Sequence, residues 1–354
     1  MQIIMQYGAG EREFEQAAEL PQWSLCRVIS QSAGSYRIVG QNGEWSAVVS
    51  GLFRHEVADT LQFPVVGDYV LAEPAGNGSA LIQRVLERRS LFVRKDPGDS
   101  HTQAVAANMD LVFVCMSLNG NFRLSRMERY LSVAWSSGAT PVVVLTKSDL
   151  AEDLPSVLAQ ARAAAPGTDV LAVSSLSTFE LDPITAYLKP GITAVFLGSS
   201  GVGKSTLINR LLGETRLDTG AVRKDGKGRH TTTRRELMLL PCGAIVMDTP
   251  GMRELGMETA DLARSFPEIE ALAAQCRFGD CSHTVEPGCA VQAAIRSGEL
   301  DARRLDSYQK LQRETRYNGL NSRALEAEKC GVMFAQAGGM KKIRKYIRQN
   351  DKRF

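Results

Sequence analysis

Residues 198–205 read GSSGVGKS, the pattern G-x-x-x-x-G-K-[ST], with an apolar run before them and an amphipathic helical run after them. Glycines at these positions let successive backbone NH groups turn inward around phosphate oxygens. The start of the following helix adds the positive end of its dipole. In such a loop Lys204 would neutralise the β- and γ-phosphates and the Ser205 hydroxyl would ligate Mg²⁺. The candidate nucleotide-binding residues here are Gly198, Ser199, Ser200, Gly201, Val202, Gly203, Lys204, Ser205 and Thr206, with Lys204 also a candidate catalytic group. Residues 248–251 read DTPG at the end of a second apolar run, where Asp248 could hold Mg²⁺ through water and the Gly251 NH could sense a terminal phosphate. Between the two lies GRHTTTRRE, residues 228–236, in a polar stretch with neither strand nor helix periodicity. It reads as a switch segment whose Thr232, or Thr231 in its place, closes over Mg²⁺.

A base-reading element precedes these phosphate-reading ones. Residues 146–149 read TKSD after an apolar strand-like run and resemble the N-K-x-D guanine motif of GTPases. The Asp149 carboxylate can accept from both the ring NH and the exocyclic amino group of guanine. Adenine offers neither donor and would leave the carboxylate unpaired. Lys147 would lie along the base, with Ser148 between the two. Thr146 stands where the motif has Asn, which removes an amide that braces this loop against the phosphate loop. Val173, Ser174 and Ser175 resemble a weaker loop that also touches the base, so Ser174 and Ser175 join the candidates. The order is TKSD, VSS, GSSGVGKS, threonine segment, DTPG, whereas ordinary GTPases begin with the phosphate loop. The order implies a circularly permuted chain. Permutation preserves such a site because its loops share one edge of the sheet.

A second constellation follows: Cys276, Cys281, His283 and Cys289, spaced C-x4-C-x-H-x5-C. Three thiolates and an imidazole complete a tetrahedral set with no open position, which predicts one structural Zn²⁺. Seven cysteines scattered through 354 residues argue against a secreted disulfide framework.

Particular elements must position these groups. Runs at LCRVIS, SYRIVG, WSAVVS, DYVLAE and ALIQRVL predict a small all-β barrel or sandwich over residues 22–95, followed by a linker at residues 95–103. Residues 104–260 alternate buried strands with helices near 124–137 and 154–165, the signature of an α/β domain built on a largely parallel sheet. Residues 261–354 read as mostly helical around the cysteine cluster. The composition, 44% apolar and 23% charged, excludes a mainly disordered chain. The sequence contains no run that would span a bilayer, and the N-terminus does not read as an export signal, so a cytoplasmic location away from membranes is expected. A monomer is expected as well. Residues 310–354 hold twelve Lys/Arg against four Asp/Glu in a chain of net charge +3, a concentration that suits a polyanion.

Taken together, AANMD, TKSD, GSSGVGKST, GRHTTT, DTPGMRELG and CRFGDCSHTVEPGC resemble the ribosome small subunit-dependent GTPase family of bacterial circularly permuted GTPases, from about residue 23 to residue 308. The resemblance implies an N-terminal OB-type β-barrel, a permuted P-loop GTPase domain and a C-terminal zinc-binding domain. It also implies GTP and GDP as ligands, and the small ribosomal subunit with its rRNA as partner in late subunit maturation. Arg88, Arg89, Arg94 and Lys95 near the barrel, and Lys341, Lys342, Arg344 and Lys345 in the tail, are candidate RNA contacts. Met252 follows DTPG where many GTPases carry a glutamine that orients the attacking water, which makes His230 the nearest polar candidate for that task. Two competing readings are an RNA-binding assembly chaperone that uses GTP only as a structural ligand, and a P-loop ATPase or kinase. Turnover with and without subunits separates the first, and GTP against ATP competition the second.

Overall fold

The computed structural model describes residues 2–32, 34–95, 102–120, 122–174, 181–217, 235–248 and 261–318. Two short helices, α1 (Gln2–Gln6) and α2 (Glu11–Ala18), lead into five strands: β1 (Ser24–Ser32), β2 (Ser35–Gly40), β3 (Gly43–Val49), β4 (Tyr69–Gly76) and β5 (Ser79–Val85). Their pairing runs β1-β2-β3-β5-β4 and returns from β4 to β1, so the barrel closes and keeps no open edge. The connection from β3 to β4 carries helix α3 (Gly51–Glu56), capped by Ser50, whose Oγ accepts from the Phe53 NH at 3.1 Å. Alternate residues such as Val28, Ile38, Val70 and Ile82 face inward and fill the barrel with Phe53.

Strand β6 (Leu91–Lys95) pairs antiparallel with β7 (Thr102–Ala107). Of the expected linker at residues 95–103, Lys95, Thr102 and Gln103 belong to these two strands, and residues 96–101 lie outside the described residues. Phe92, Val105 and Ala106 are buried.

The next layer contains β8 (Leu111–Ser117), α4 (Leu124–Ser136), β9 (Thr140–Thr146), α5 (Leu154–Ala163), β10 (Val170–Val173), α6 (Asp182–Thr185), β11 (Thr193–Leu197), α7 (Lys204–Leu212), β12 (Arg235–Leu239) and β13 (Ile245–Asp248). Strands β10, β9, β8, β11 and β13 pair in parallel in that order, and β12 pairs antiparallel with β13. Strand β8 sits inside this sheet, so both its faces are apolar. Val112, Val114 and Met116 pack toward Leu131 and Val143, while Phe113 and Cys115 pack toward Phe196 and Leu207. Helices α8 (Leu262–Ser265), α9 (Pro267–Ala273), α10 (Ala290–Ser297) and α11 (Ala302–Asn318) complete the described chain. No described helix is long and apolar enough to cross a membrane.

Two buried guanidinium groups join these parts. Arg27 of β1 has no exposed surface and donates to the carbonyls of Gly67 (3.2 Å), Tyr7 (2.5 Å) and Asn108 (3.1 Å), with its guanidinium 4.8 Å from the Tyr69 ring centre. It thereby ties the N-terminal helices, the barrel and the approach to β8 together. Arg304 of α11 reaches Glu128 of α4 (2.9 Å), the carbonyls of Ala164 and Ser265, and Glu268 of α9, and it stacks over Phe266. Glu128 also takes Arg303 at 3.0 Å, so a buried carboxylate of α4 receives two guanidinium groups of the helical C-terminal part, beside the Ser132–Ser265 hydrogen bond. Of the basic residues expected to meet RNA, Arg88 is used up inside the fold. It forks onto Asp68 at 2.7 and 2.8 Å and also donates to the carbonyls of Leu61 and Phe63. Arg89 is exposed and pairs with Glu13 and Asp110.

Replacing Arg27 by Met removes the donor from three buried carbonyls at once. The expected loss is about 2–4 kcal/mol, read as a lower urea midpoint; an unshifted midpoint would contradict the joining role.

Candidate functional site

Parallel pairing brings the C-terminal ends of β8, β9, β10, β11 and β13 to one edge, and the candidate loops leave from that edge. The chain reverses its direction of travel across the sheet between β8 and β11, the position where open α/β sheets form a ligand crevice. The 198–205 loop leaves β11 at this crevice. Gly198 lies so close to β8 that a Cβ there would stand 2.5 Å from the Cys115 carbonyl oxygen. Gly203, with φ of 101°, forms the N-cap of α7 without a side-chain cap, which leaves the first NH groups of the helix for a ligand. The Lys204 ammonium folds over the loop and donates to the carbonyls of Gly198 (2.7 Å) and Ser199 (2.9 Å). The cation is thus held above the peptide groups that would cradle phosphates.

On the base side, Thr146 ends β9, and its Oγ1 lies 2.5 Å from the Val202 carbonyl of the phosphate loop and 3.3 Å from the Met116 carbonyl. The brace expected to be lost with the missing amide is therefore present in another form, with a hydroxyl in its place. Lys147 adopts a left-handed φ of 57° and reaches the Gly201 carbonyl at 2.9 Å, a second tie between the two loops. Ser148 and Asp149 form one 3-10 turn, and Asp149 Oδ1 accepts from Ser174 Oγ at 2.6 Å. The structure thus brings Thr146, Lys147, Asp149 and Ser174 together with the 198–206 loop. Asp248 ends β13 at the same edge. His230, Thr231, Thr232, Ser175, Gly251, Met252, the Asp248 side chain and the tail lysines and arginine at 341, 342, 344 and 345 lie outside the described residues.

Sequence reasoning passed over Asn209, which is buried on α7 and grips the outgoing chain through three hydrogen bonds to Arg216 and Leu217. An amide among Leu207, Ile208 and Leu212 on a helix face was the available signal, because Asn is a poor choice there unless it bonds to backbone.

The cysteine–histidine set also assembles. The four ligand atoms lie within 4.8 Å of one another. Cys276 Sγ and Cys289 Sγ are 3.8 Å apart, and His283 Nδ1 is 3.6 Å from each. A tetrahedral Zn²⁺ with ordinary bond lengths has S···S edges of about 3.8 Å and S···N edges of about 3.6 Å. The residues therefore fit the ion. Cys289 caps α10, and its sulfur accepts from the Gln292 NH at 3.4 Å. Burial opposes the Cys276 thiolate, but the backbone NH groups of Val291 and Ala290 and the neighbouring cysteines hold its pKa below the usual thiol range. The His283 backbone takes a left-handed φ of 56°, fixed by Gln292 donating to its carbonyl at 2.7 Å.

A phosphate loop and a guanine loop braced together at the switch point of a parallel sheet, with the guanine loop earlier in the chain, define a circularly permuted P-loop GTPase. Comparison with known proteins narrows this. A family model described as RsgA GTPase matches residues 85–258. A small ribosomal subunit biogenesis GTPase RsgA 2 of Lactiplantibacillus plantarum is 48% identical over 321 residues, covering 90% of this chain and 91% of that protein. The RsgA of Opitutus terrae is 47% identical over 305 residues, covering 82% and 83%. Among solved structures, YjeQ from Thermotoga maritima superposes with a TM-score of 0.62 at 26% identity, covering 82% of this chain and 98% of its own. YloQ, described as a circularly permuted GTPase, gives 0.60 at 24% identity over 83% and 95%, a likeness of fold. The chain belongs to the RsgA GTPase family, and it is a GTP hydrolase.

Thr146→Val keeps the shape and deletes the hydroxyl between the loops. GTP binding, measured by titration, should weaken about five- to tenfold while preference over ATP persists; undiminished affinity would show that the brace is idle. Separately, purified protein should carry one Zn²⁺ per chain by elemental analysis, and Cys276→Ser should lower both zinc content and thermal midpoint. Full-length protein free of zinc, with an unchanged midpoint after chelation, is the contrary result.

Proposed function

We propose that this GTPase acts on the small ribosomal subunit during late assembly, binds its rRNA, and hydrolyses GTP at a rate raised by that subunit. The observation that carries the reading is the end-to-end similarity to relatives named for small-subunit biogenesis, at nearly half identity over nine-tenths of both chains. In the cell such work is cytoplasmic, and the protein works there as a monomer.

The chain's residues take the following parts. The NH groups of residues 198–206 and Lys204 hold the phosphates, Asp149 reads guanine with Ser174 fixing its carboxylate, and Lys147 lies along the base. Ser205, Asp248 and Thr232 would hold Mg²⁺, which supplies charge neutralisation at the β- and γ-phosphates. The Gly251 NH senses the γ-phosphate. His230 orients the attacking water, since Met252 has no group that can accept from it. The Cys/His set would hold zinc as a structural clamp with no open position. The barrel and the basic segment beyond residue 310 supply the RNA-facing surfaces.

GTP turnover measured with purified small subunits, large subunits and neither tests this directly. Stimulation by small subunits alone is expected, within the roughly 10³ to 10⁵-fold range that partners confer on other GTPases. His230→Ala should abolish the stimulated rate and spare GTP affinity. Equal rates under all three conditions would remove the proposed function, and full stimulation in the variant would remove His230.

A further inference from the structure

The chain on either side of residues 218–234 is anchored, and one carboxylate touches both anchors. Upstream, Asn209 Oδ1 accepts from the NH groups of Arg216 (3.0 Å) and Leu217 (2.7 Å), and its Nδ2 donates to the Leu217 carbonyl (2.7 Å). The exit from α7, the helix that begins at Lys204, is therefore fixed. Downstream, β12 opens with two residues that pair with the barrel: Arg235 opposite Gln31 and Glu236 opposite Ser30 of β1. Glu236 Oε1 then takes Arg216 at 3.4 Å and Arg37 of β2 at 3.2 Å. Arg37 uses its other terminal nitrogen on Glu44 of β3. Glu236 of β12, the strand that follows the threonine-rich segment, is thus met from two sides: by the chain leaving the phosphate-loop helix, through Arg216, and by barrel strand β2, through Arg37, which Glu44 of β3 holds in turn.

We propose that Glu236 is a positioning residue through which the barrel and the nucleotide site sense each other, with Arg37 as its barrel-side arm and Arg216 as its α7-side arm. A carboxylate shared by two guanidinium groups tightens on one when the other withdraws. Movement of α7 with nucleotide state therefore alters the hold on Arg37, and displacement of the barrel strands alters the hold on Arg216. By linkage the effect is reciprocal. A solvated ornamental cluster is the competing account. Side chains here are 25–44% exposed for Glu236, Arg37 and Arg216, and pairs of that kind carry factors of about two to five. Glu236 therefore tunes the coupling and does not act as an all-or-none switch. The β12–β1 backbone pairs give the rigid connection on which that tuning acts.

Trp45 of β3 lies opposite Ile38 of β2 and packs against the barrel core, on the face away from Glu44 and Arg37, so its emission reports on a shift of the β2–β3 pair that the Arg37 arm would transmit. In a Trp23→Phe, Trp135→Phe protein, Trp45 emission should differ between GDP and a non-hydrolysable GTP analogue. The difference should shrink about two- to fivefold in Glu236→Gln. Arg37→Ala and Arg216→Ala should each reduce it, with the double variant no worse than Glu236→Gln. No nucleotide-dependent difference in the parent, or the same difference in Glu236→Gln, would overturn the proposal. As an activity readout, which rests on the proposed stimulation by small subunits, Glu236→Gln should lower stimulated kcat about two- to fivefold with KM for GTP and the thermal midpoint held. If small subunits fail to stimulate even the unaltered protein, the proposed function falls, and the Trp45 measurement still decides this inference.

Discussion

A parallel sheet delivers every one of its strands to the same edge, and the nucleotide site depends on that constraint. Loops far apart in sequence can share a ligand only if something sets their spacing, and here the setting is local and polar. Thr146 meets the Val202 carbonyl, Lys147 meets that of Gly201, and Ser174 meets Asp149. These contacts place the Asp149 carboxylate at a fixed distance from the 198–205 loop. Because they run through space, the order of loops along the chain is free to change.

What permutation does change is covalent neighbourhood. The helical C-terminal part follows β13 and returns to lean on α4, where Glu128 receives both Arg303 and Arg304. A buried carboxylate serving two guanidiniums fixes orientation more surely than an apolar contact of the same area, because a misplaced arm leaves a charge unpaired. At the opposite flank Arg27 does comparable work without a carboxylate partner among the described residues, spending its donors on carbonyls. The parts of the molecule are thus joined by buried guanidinium groups.

Much of this was legible in the sequence. The five barrel strands, the alternation from β8 to β11 and the zinc-type ligand set follow from period, turn residues and spacing, because those features are local. The order of the nucleotide motifs told of permutation for the same reason. What could not be read were pairings between distant positions. Thr146 looked like the loss of a brace, since a hydroxyl reveals its partner only when Val202 is brought beside it. Arg88 looked like a free cation because Asp68 lies twenty residues away and is buried. The 95–103 stretch carried a turn signal, and the pairing of its ends, Lys95 with Thr102 and Arg94 with Gln103, joins positions that no local pattern links.

The pairing of β11 between β8 and β13 also bears on how the chain reaches this structure. The barrel closes entirely from pairings within residues 24–85, so it can form as soon as that stretch is available. The sheet cannot follow suit. Strands β8, β9 and β10 come first in the chain and leave β8, apolar on both faces, as an open edge until β11 arrives about eighty residues later. The element that covers this edge is the strand carrying the phosphate loop. Covering of the β8 edge and arrival of the phosphate-binding loop at the sheet are therefore one event in folding, and a nascent chain halted before β11 exposes a sticky edge and has no such loop.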